Sequence, residues 1–195
     1  MDNLNITLGF AEQHRPKAAQ LYYTAFRQKL HPIFRDERRA LQVLEQSLNP
    51  AYAIAATLNN ELVGIAGFHD EKSNLLNVQP QNMTRTFGFF GGWVRLLALS
   101  IFRRTPNATT LLMDGIVVDS TMRGGGVGSQ LLDAIIKHAQ AQHYEQVRLD
   151  VVDTNPRARQ LYERKGFVAT DTQRYPYLKQ IFGFSGATTM LKTIE

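Results

Sequence analysis

The chain of 195 residues contains no cysteine. That excludes disulfides, thiolate metal sites and a cysteine nucleophile, and it fits a reducing, cytoplasmic setting. The opening Met1-Asp2-Asn3-Leu4-Asn5 has neither a basic nor an apolar segment, so no secretory leader is expected. No apolar run reaches the roughly 20 residues that a transmembrane segment needs. The run over 87–102 is interrupted by Arg95 and three glycines. The five histidines show no metal-ligand spacing, and no metal is expected. The net charge is +5, with Lys and Arg dispersed along the chain. That pattern suits an anionic small molecule and argues against nucleic acid as a partner.

What is present suits one domain over residues 1–195 with a sizeable core. Residues 4–10 read as a strand and 12–30 as a helix, with Ala18, Leu21, Tyr22, Ala25 and Phe26 at helical spacing. His31-Pro32 is expected to break that helix. A second helix is expected near 36–48, ended by Asn49-Pro50. Residues 52–58 and 61–68 read as strands around the turn Asn59-Asn60. Then come a strand over 108–118, a helix to about 143, a strand over 146–152, a helix over 156–165, and strands over 167–174 and 187–193. The alternation is α/β.

One passage carries chemistry. The strand Leu111-Leu112-Met113-Asp114-Gly115-Ile116-Val117-Val118 leads to Arg123-Gly124-Gly125-Gly126-Val127-Gly128. A helical pattern opens there, with Val127, Leu131, Ile135 and Ala139 on one face. Glycines at a helix start let a ligand approach the backbone, and the free N–H groups and partial positive charge of the first turn suit a phosphate. A Walker A loop is excluded, because Gly128 is followed by Ser129-Gln130 rather than by lysine. A dinucleotide fingerprint fails too: its third small residue falls on Ser129 or on Leu131. A glycine-rich turn with no ligand is the plain alternative. Further on, Asn155-Pro156-Arg157-Ala158-Arg159-Gln160-Leu161-Tyr162-Glu163-Arg164-Lys165-Gly166-Phe167 reads as a capped helix stopped by glycine. Asn155 and Tyr162 are about two turns apart and share a face.

Taken in order, Arg-x-x-Gly-x-Gly and the Asn…Leu-Tyr…Gly-Phe segment resemble the GNAT superfamily of acyl-CoA-dependent N-acyltransferases. The resemblance implies a mixed, mostly antiparallel sheet flanked by helices. Residues 69–107 would be an insertion between the third and fourth strands. It implies that Arg123, Gly124, Gly125, Gly126, Val127, Gly128 and Ser129 hold the pyrophosphate of acetyl-CoA. Backbone groups of Val117 and Val118 would pair with the pantetheine arm, on a strand splayed from its neighbour. Asn155 would bind that arm through its amide, or serve as a helix cap, or do both. Tyr162 matches the general acid, its alternative being a core tyrosine. The implied reaction is direct attack of a primary amine, from a small molecule or a protein, on acetyl-CoA. An acyl-CoA-binding module without turnover and transfer of a longer acyl chain are the rival functions.

Two proton problems follow. A phenol of pKa near 10 protonating a thiolate near 8.5 is uphill by roughly 2 kcal/mol. An amine of pKa about 10.4 costs roughly 4.6 kcal/mol to neutralise at pH 7, so a base is expected. Asp114, a carboxylate inside an apolar strand, is the best candidate for base or base-organiser, with a structural hydrogen-bond network as the alternative. His31 and His69, at element ends, come after it. For the apolar insertion three roles are open. Its helix, starting near Trp93, is buried on the domain or in a homodimer, closes over the acceptor, or lies in a membrane interface.

Overall fold

The computed structural model describes residues 4–194. Met1–Asn3, which carry part of the leader expectation, and Glu195 lie outside them. In chain order the elements are β1 (Leu4–Leu8), α1 (Arg15–Ala25), α2 (Arg27–Phe34), α3 (Glu37–Ser47), β2 (Ala53–Leu58) and β3 (Glu61–His69). Then follow α4 (Pro80–Phe87), α5 (Phe89–Ser100), β4 (Thr110–Val118), α6 (Val127–Ala141), β5 (Gln146–Val152), α7 (Pro156–Arg164), β6 (Val168–Arg174), α8 (Lys179–Phe182) and β7 (Gly186–Thr193). The strands form one seven-stranded sheet in the order β1-β2-β3-β4-β5-β7-β6. Every neighbouring pair is antiparallel except β4 and β5. This is the mixed α/β sheet that the motifs implied.

Local chemistry sets the boundaries. Asn59 and Asn60 take φ of 48° and 64°, the left-handed pair that a two-residue hairpin turn needs. Asp36 caps α3, its Oδ1 accepting from the Arg39 N–H at 3.0 Å. The expected helix over 12–30 is instead two helices. The chain leaves helical geometry at Phe26 (φ −101°, ψ 17°) and resumes through Pro32 to Phe34. His31-Pro32 therefore does not break the helix. Proline holds φ near helical values and forfeits one backbone bond. Burial of Leu30, Ile33 and Phe34 in the same short helix offsets that loss.

The sheet is covered on both faces. Tyr23, Phe34, Val43, Leu44, Leu62 and Ile65 fill the core beneath α1–α3. Leu111, Met113, Leu131, Leu132, Ile135 and Leu149 fill the core beneath α6. The insertion is a helical hairpin. Its second helix begins at Phe89, earlier than expected, and α4 precedes it, turning Met83 and Phe87 to the core. Gly92 lets the two helices touch, since a Cβ there would stand 2.8 Å from the Thr84 Cα. Leu96, Leu99 and Phe102 pack on the core beneath α1–α3. The opposite face of α5 is exposed, so the domain buries only half of this helix. Among the described residues no helix is long and apolar enough to cross a membrane.

Two irregularities in β4 position the site. Gly67 pairs with Gly115 and Phe68 with Met113, so Asp114 is the extra residue of a β-bulge. Only Thr110, Leu111 and Leu112 pair with β5, opposite Gln146, Val147 and Arg148. Beyond Leu112 the two strands part, which is the splay the resemblance implied.

Candidate active site

The parted strands open a cleft of about 720 Å³, walled by α1, the end of β4, the glycine loop, the start of α6 and one face of α7. Peptide groups alternate sides along a strand. Asp119 donates its N–H to the Val63 carbonyl at 2.8 Å, and Val117 lies opposite Ile65 in the same register. The Val117 peptide groups therefore face β3. Those of Ile116 and Val118 face the gap, and all three residues line the cleft. Of the two residues expected to present backbone groups, Val118 turns its peptide groups to the gap and Val117 does not; Ile116, which sequence reasoning did not name, does.

The loop has the form of an anion cradle. Gly124 and Gly126 take φ of 87° and 80°, and a Cβ on either would point into open space. Gly125 ties its N–H to the Met122 carbonyl at 3.3 Å and so shapes the turn. The first helical bond of α6 runs from the Gln130 N–H to the Gly126 carbonyl at 3.1 Å. The N–H groups of Val127, Gly128 and Ser129 precede it and have no helical partner. Arg123, Gly124, Gly126, Val127 and Gly128 line the cleft, whereas Gly125 and Ser129 are not among its lining residues. Arg157, Arg164 and Lys17 line it as well. The spacing of Arg157, Leu161 and Arg164 along one helix face was the available signal for the first two.

Asn155 and Tyr162 both reach the cleft from α7. Asn155 caps that helix, its Oδ1 accepting from the Ala158 N–H at 3.3 Å, which leaves its amide hydrogens for another acceptor. Tyr162 is buried, 6.0 Å from the Phe167 ring. Burial pushes its phenol up to about 12. The group is thus a neutral O–H donor across the working pH range.

A charged network lies beside the cleft, at the bulge of β4, and its residues are not among those that line the cleft. Asp114 Oδ1 lies 2.8 Å from His69 Nδ1 and 3.1 Å from Arg104 Nη2. A carboxylate only accepts, so Nδ1 carries the hydrogen. His69 Nε2 is buried with no partner among the described residues. Arg104 also reaches Asp150 Oδ2 at 3.2 Å, and Asp150 Oδ1 accepts from the Thr189 hydroxyl at 2.7 Å. Tyr22 is buried here, and burial followed by the Asp114 charge raises its phenol well above the usual range. Beside this network, Lys29 Nζ stands 5.4 Å from the Phe102 ring centroid and 5.7 Å from that of Phe184. Burial, then the Arg104 charge, pulls that ammonium below its ordinary value. Phe26 lies over the bulge, where any side chain on Gly115 would meet it, since a Cβ would stand 2.7 Å from Cζ. His31 is elsewhere, inside α2, bonded to the Tyr23 hydroxyl at 3.1 Å.

Residues 16–167 match the model of the acetyltransferase (GNAT) family, and the chain belongs to that family. It is a GNAT-family N-acetyltransferase. Solved structures agree on the fold. An N-acetyltransferase from Staphylococcus aureus Mu50 superposes with a TM-score of 0.64 at 16% identity, over 99% of each chain. A ribosomal-protein-alanine N-acetyltransferase from Brucella melitensis gives 0.64 at 19%, over 97% of this chain and 99% of that one. A Salmonella typhimurium protein solved with its cofactor acetyl-CoA gives 0.61 at 16%, over 99% and 95%. No curated protein sequence matches the chain.

The cleft is latched across its mouth by Lys17 of α1, whose Nζ lies 2.6 Å from Asp119 Oδ2. That hydrogen bond, with those from Thr121, holds the Asp119 carboxyl down at about 2. A carboxyl with a depressed folded pKa stabilises the fold above its unfolded value and loses that contribution as pH falls through the folded one. Lys17→Met should therefore lower the melting temperature near neutral pH. The deficit should close between the ordinary 3.8 and about 2. The pair is solvent-screened, so the effect is below about 1 kcal/mol. Thermal melts of both proteins across that range test it; a gap unchanged with pH would show that the ion pair is not the cause.

Proposed function

We propose that the protein moves an acetyl group from acetyl-CoA to a primary amine by direct attack, the whole chain serving as one catalytic domain. The observation that carries this reading is the splay. It frees the peptide groups of Ile116 and Val118 on one wall and faces them with Asn155 and Tyr162 on the other. The pyrophosphate fits the unbonded N–H groups at the start of α6, beside Arg123, with Arg157 and Arg164 close enough to take a further phosphate. The Asn155 amide and the Val118 backbone suit the polar groups of the pantetheine arm. One freed peptide N–H would polarise the thioester carbonyl.

The amine nitrogen forms its bond to the carbonyl carbon, and the carbon–sulfur bond then breaks with the electron pair leaving on sulfur. The Tyr162 hydroxyl is the donor for that sulfur. With the phenol at about 12, complete transfer to a thiolate near 8.5 would cost about 5 kcal/mol. Tyr162 therefore acts by hydrogen bonding to the sulfur rather than by full protonation. On the amine side, Asp114 is anchored through Oδ1 by His69 and Arg104. Its Oδ2, with no hydrogen bond among the described residues, is the oxygen that would receive the amine's N–H.

Three measurements test this. Gly126→Asp places a carboxylate in the cradle, and Asp tolerates the left-handed φ of 80°. Calorimetry should show acetyl-CoA affinity reduced by roughly tenfold or more. Gly126→Asn, equal in backbone strain but uncharged, should keep most of it; equal losses in the two variants would mean strain rather than charge.

Tyr162→Phe keeps the ring and removes the donor. We expect kcat to fall by roughly two orders of magnitude with acetyl-CoA affinity nearly kept. Full activity would return Tyr162 to the core as a packing residue.

Asp114→Asn should lower kcat/KM most near neutral pH and less at high pH, where free amine is abundant. A loss uniform across pH, accompanied by a lower melting temperature, would assign Asp114 to structure alone.

A further inference from the structure

The described residues include ten exposed large hydrophobic side chains, and six of them, Phe89, Phe90, Trp93, Val94, Leu97 and Ile101, lie on or just past α5. Their spacing places them on one face of the helix, opposite Leu96, Leu99 and Phe102, which pack on the domain. Phe90 is 83% and Leu97 73% exposed. Nothing in the acetyl-transfer reading uses this face.

The charge of its own segment is one-sided, although Arg104 is paired with Asp114 and Asp150 and Arg95 is held on Gly91 and Phe87. From Lys72 to Met113 the chain has no Asp or Glu, while it has Lys72, Arg85, Arg95, Arg103 and Arg104. The exposed Arg85, in the last turn of α4, and the exposed Arg103, just after α5, flank the apolar strip in the chain. We propose that this face of α5 is a docking surface for an anionic phospholipid bilayer. The aromatic and aliphatic side chains enter the headgroup–acyl boundary, and the flanking cations meet the lipid phosphates. The geometry is that of a helix lying in the interface plane, too short and too polar at its ends to span.

A second copy of this chain fits the face less well. A two-fold contact through the strip would bring like-charged ends together, with no carboxylate from this segment to relieve them.

Trp93 is the only tryptophan of the chain, so it reports on the face directly. The full-length protein is mixed with vesicles of phosphatidylcholine alone and of phosphatidylcholine with phosphatidylglycerol. On the mixed vesicles we expect flotation with lipid, a blue shift of Trp93 emission and protection from an aqueous quencher, all weakened by high salt. Phe90→Ser with Leu97→Ser should weaken partitioning at least tenfold. It should leave the melting temperature unchanged, since both side chains are exposed. Arg85→Gln with Arg103→Gln should weaken binding to the mixed vesicles alone. Absence of both flotation and blue shift overturns the proposal. So does equal binding to neutral vesicles. A dimer that light scattering shows dispersing in the Phe90/Leu97 variant would assign the face to a second copy instead.

Discussion

Strands β4 and β5 are joined by three residue pairs and then separate, and the rest of the molecule is arranged around that separation. A parallel ladder broken in mid-sheet leaves peptide groups unpaired on both edges, and unpaired buried peptide groups are costly. Here the ladder ends within a cleft open to ligand, so those groups stay available without being sealed in the core. The bulge at Asp114 lies where the ladder stops, adding one residue to β4 and bending it away. The remaining neighbours of β4 and β5, namely β3 and β7, keep long antiparallel ladders that hold the two halves of the sheet in place.

What ties the gap is a side chain rather than a backbone. Arg104 sends one nitrogen to Asp114 on β4 and the other to Asp150 on β5, at 3.1 and 3.2 Å. A planar guanidinium suits two carboxylates at fixed separation, where a lysine could serve only one of them well. This arginine is supplied by the insertion, from the segment that leads out of α5. The forty or so residues between β3 and β4 thus have an internal purpose: their exit completes the charged network beside the cleft, and Phe102 beside it forms part of the wall around Lys29.

The sequence made much of this legible, for identifiable reasons. Hairpin, cap and helix-stop residues act locally, so Asn59-Asn60, Asp36 and Asn155 marked true boundaries. The loop at Arg123–Ser129 and the helix bearing Tyr162 were legible because residue type and spacing alone define a helix start and a helix face. Tertiary facts were not. Pro32 stays helical because its neighbours are buried, which no local rule foresees. Ile116, and not Val117, turns its peptide groups to the gap because bulge and register decide which way peptides point, and a bulge leaves no mark beyond Asp114-Gly115. Arg104 was one basic residue among many until the fold placed it between two carboxylates.

The sheet divides the gap into two electrostatic environments. On the α7 side Tyr162 sits among apolar neighbours such as Phe167 and Val127, and burial keeps its phenol protonated. On the α1–α2 side Arg104 pairs with Asp114 and Asp150, Arg148 also lies by Asp150, and His69 bonds Asp114. The direct acyl transfer proposed above would draw on that asymmetry. The leaving sulfur gains negative charge and is best met by a neutral donor in a dry environment, where a hydrogen bond is strongest. The attacking amine gains positive charge and sheds a proton, so it is best met by an anchored carboxylate. One mixed environment could not serve both, because a carboxylate beside the sulfur would oppose its leaving. In the reaction proposed above, parting two strands of one sheet would serve both requirements, with the buried Tyr162 of α7 on one side and an ion-paired network on the other.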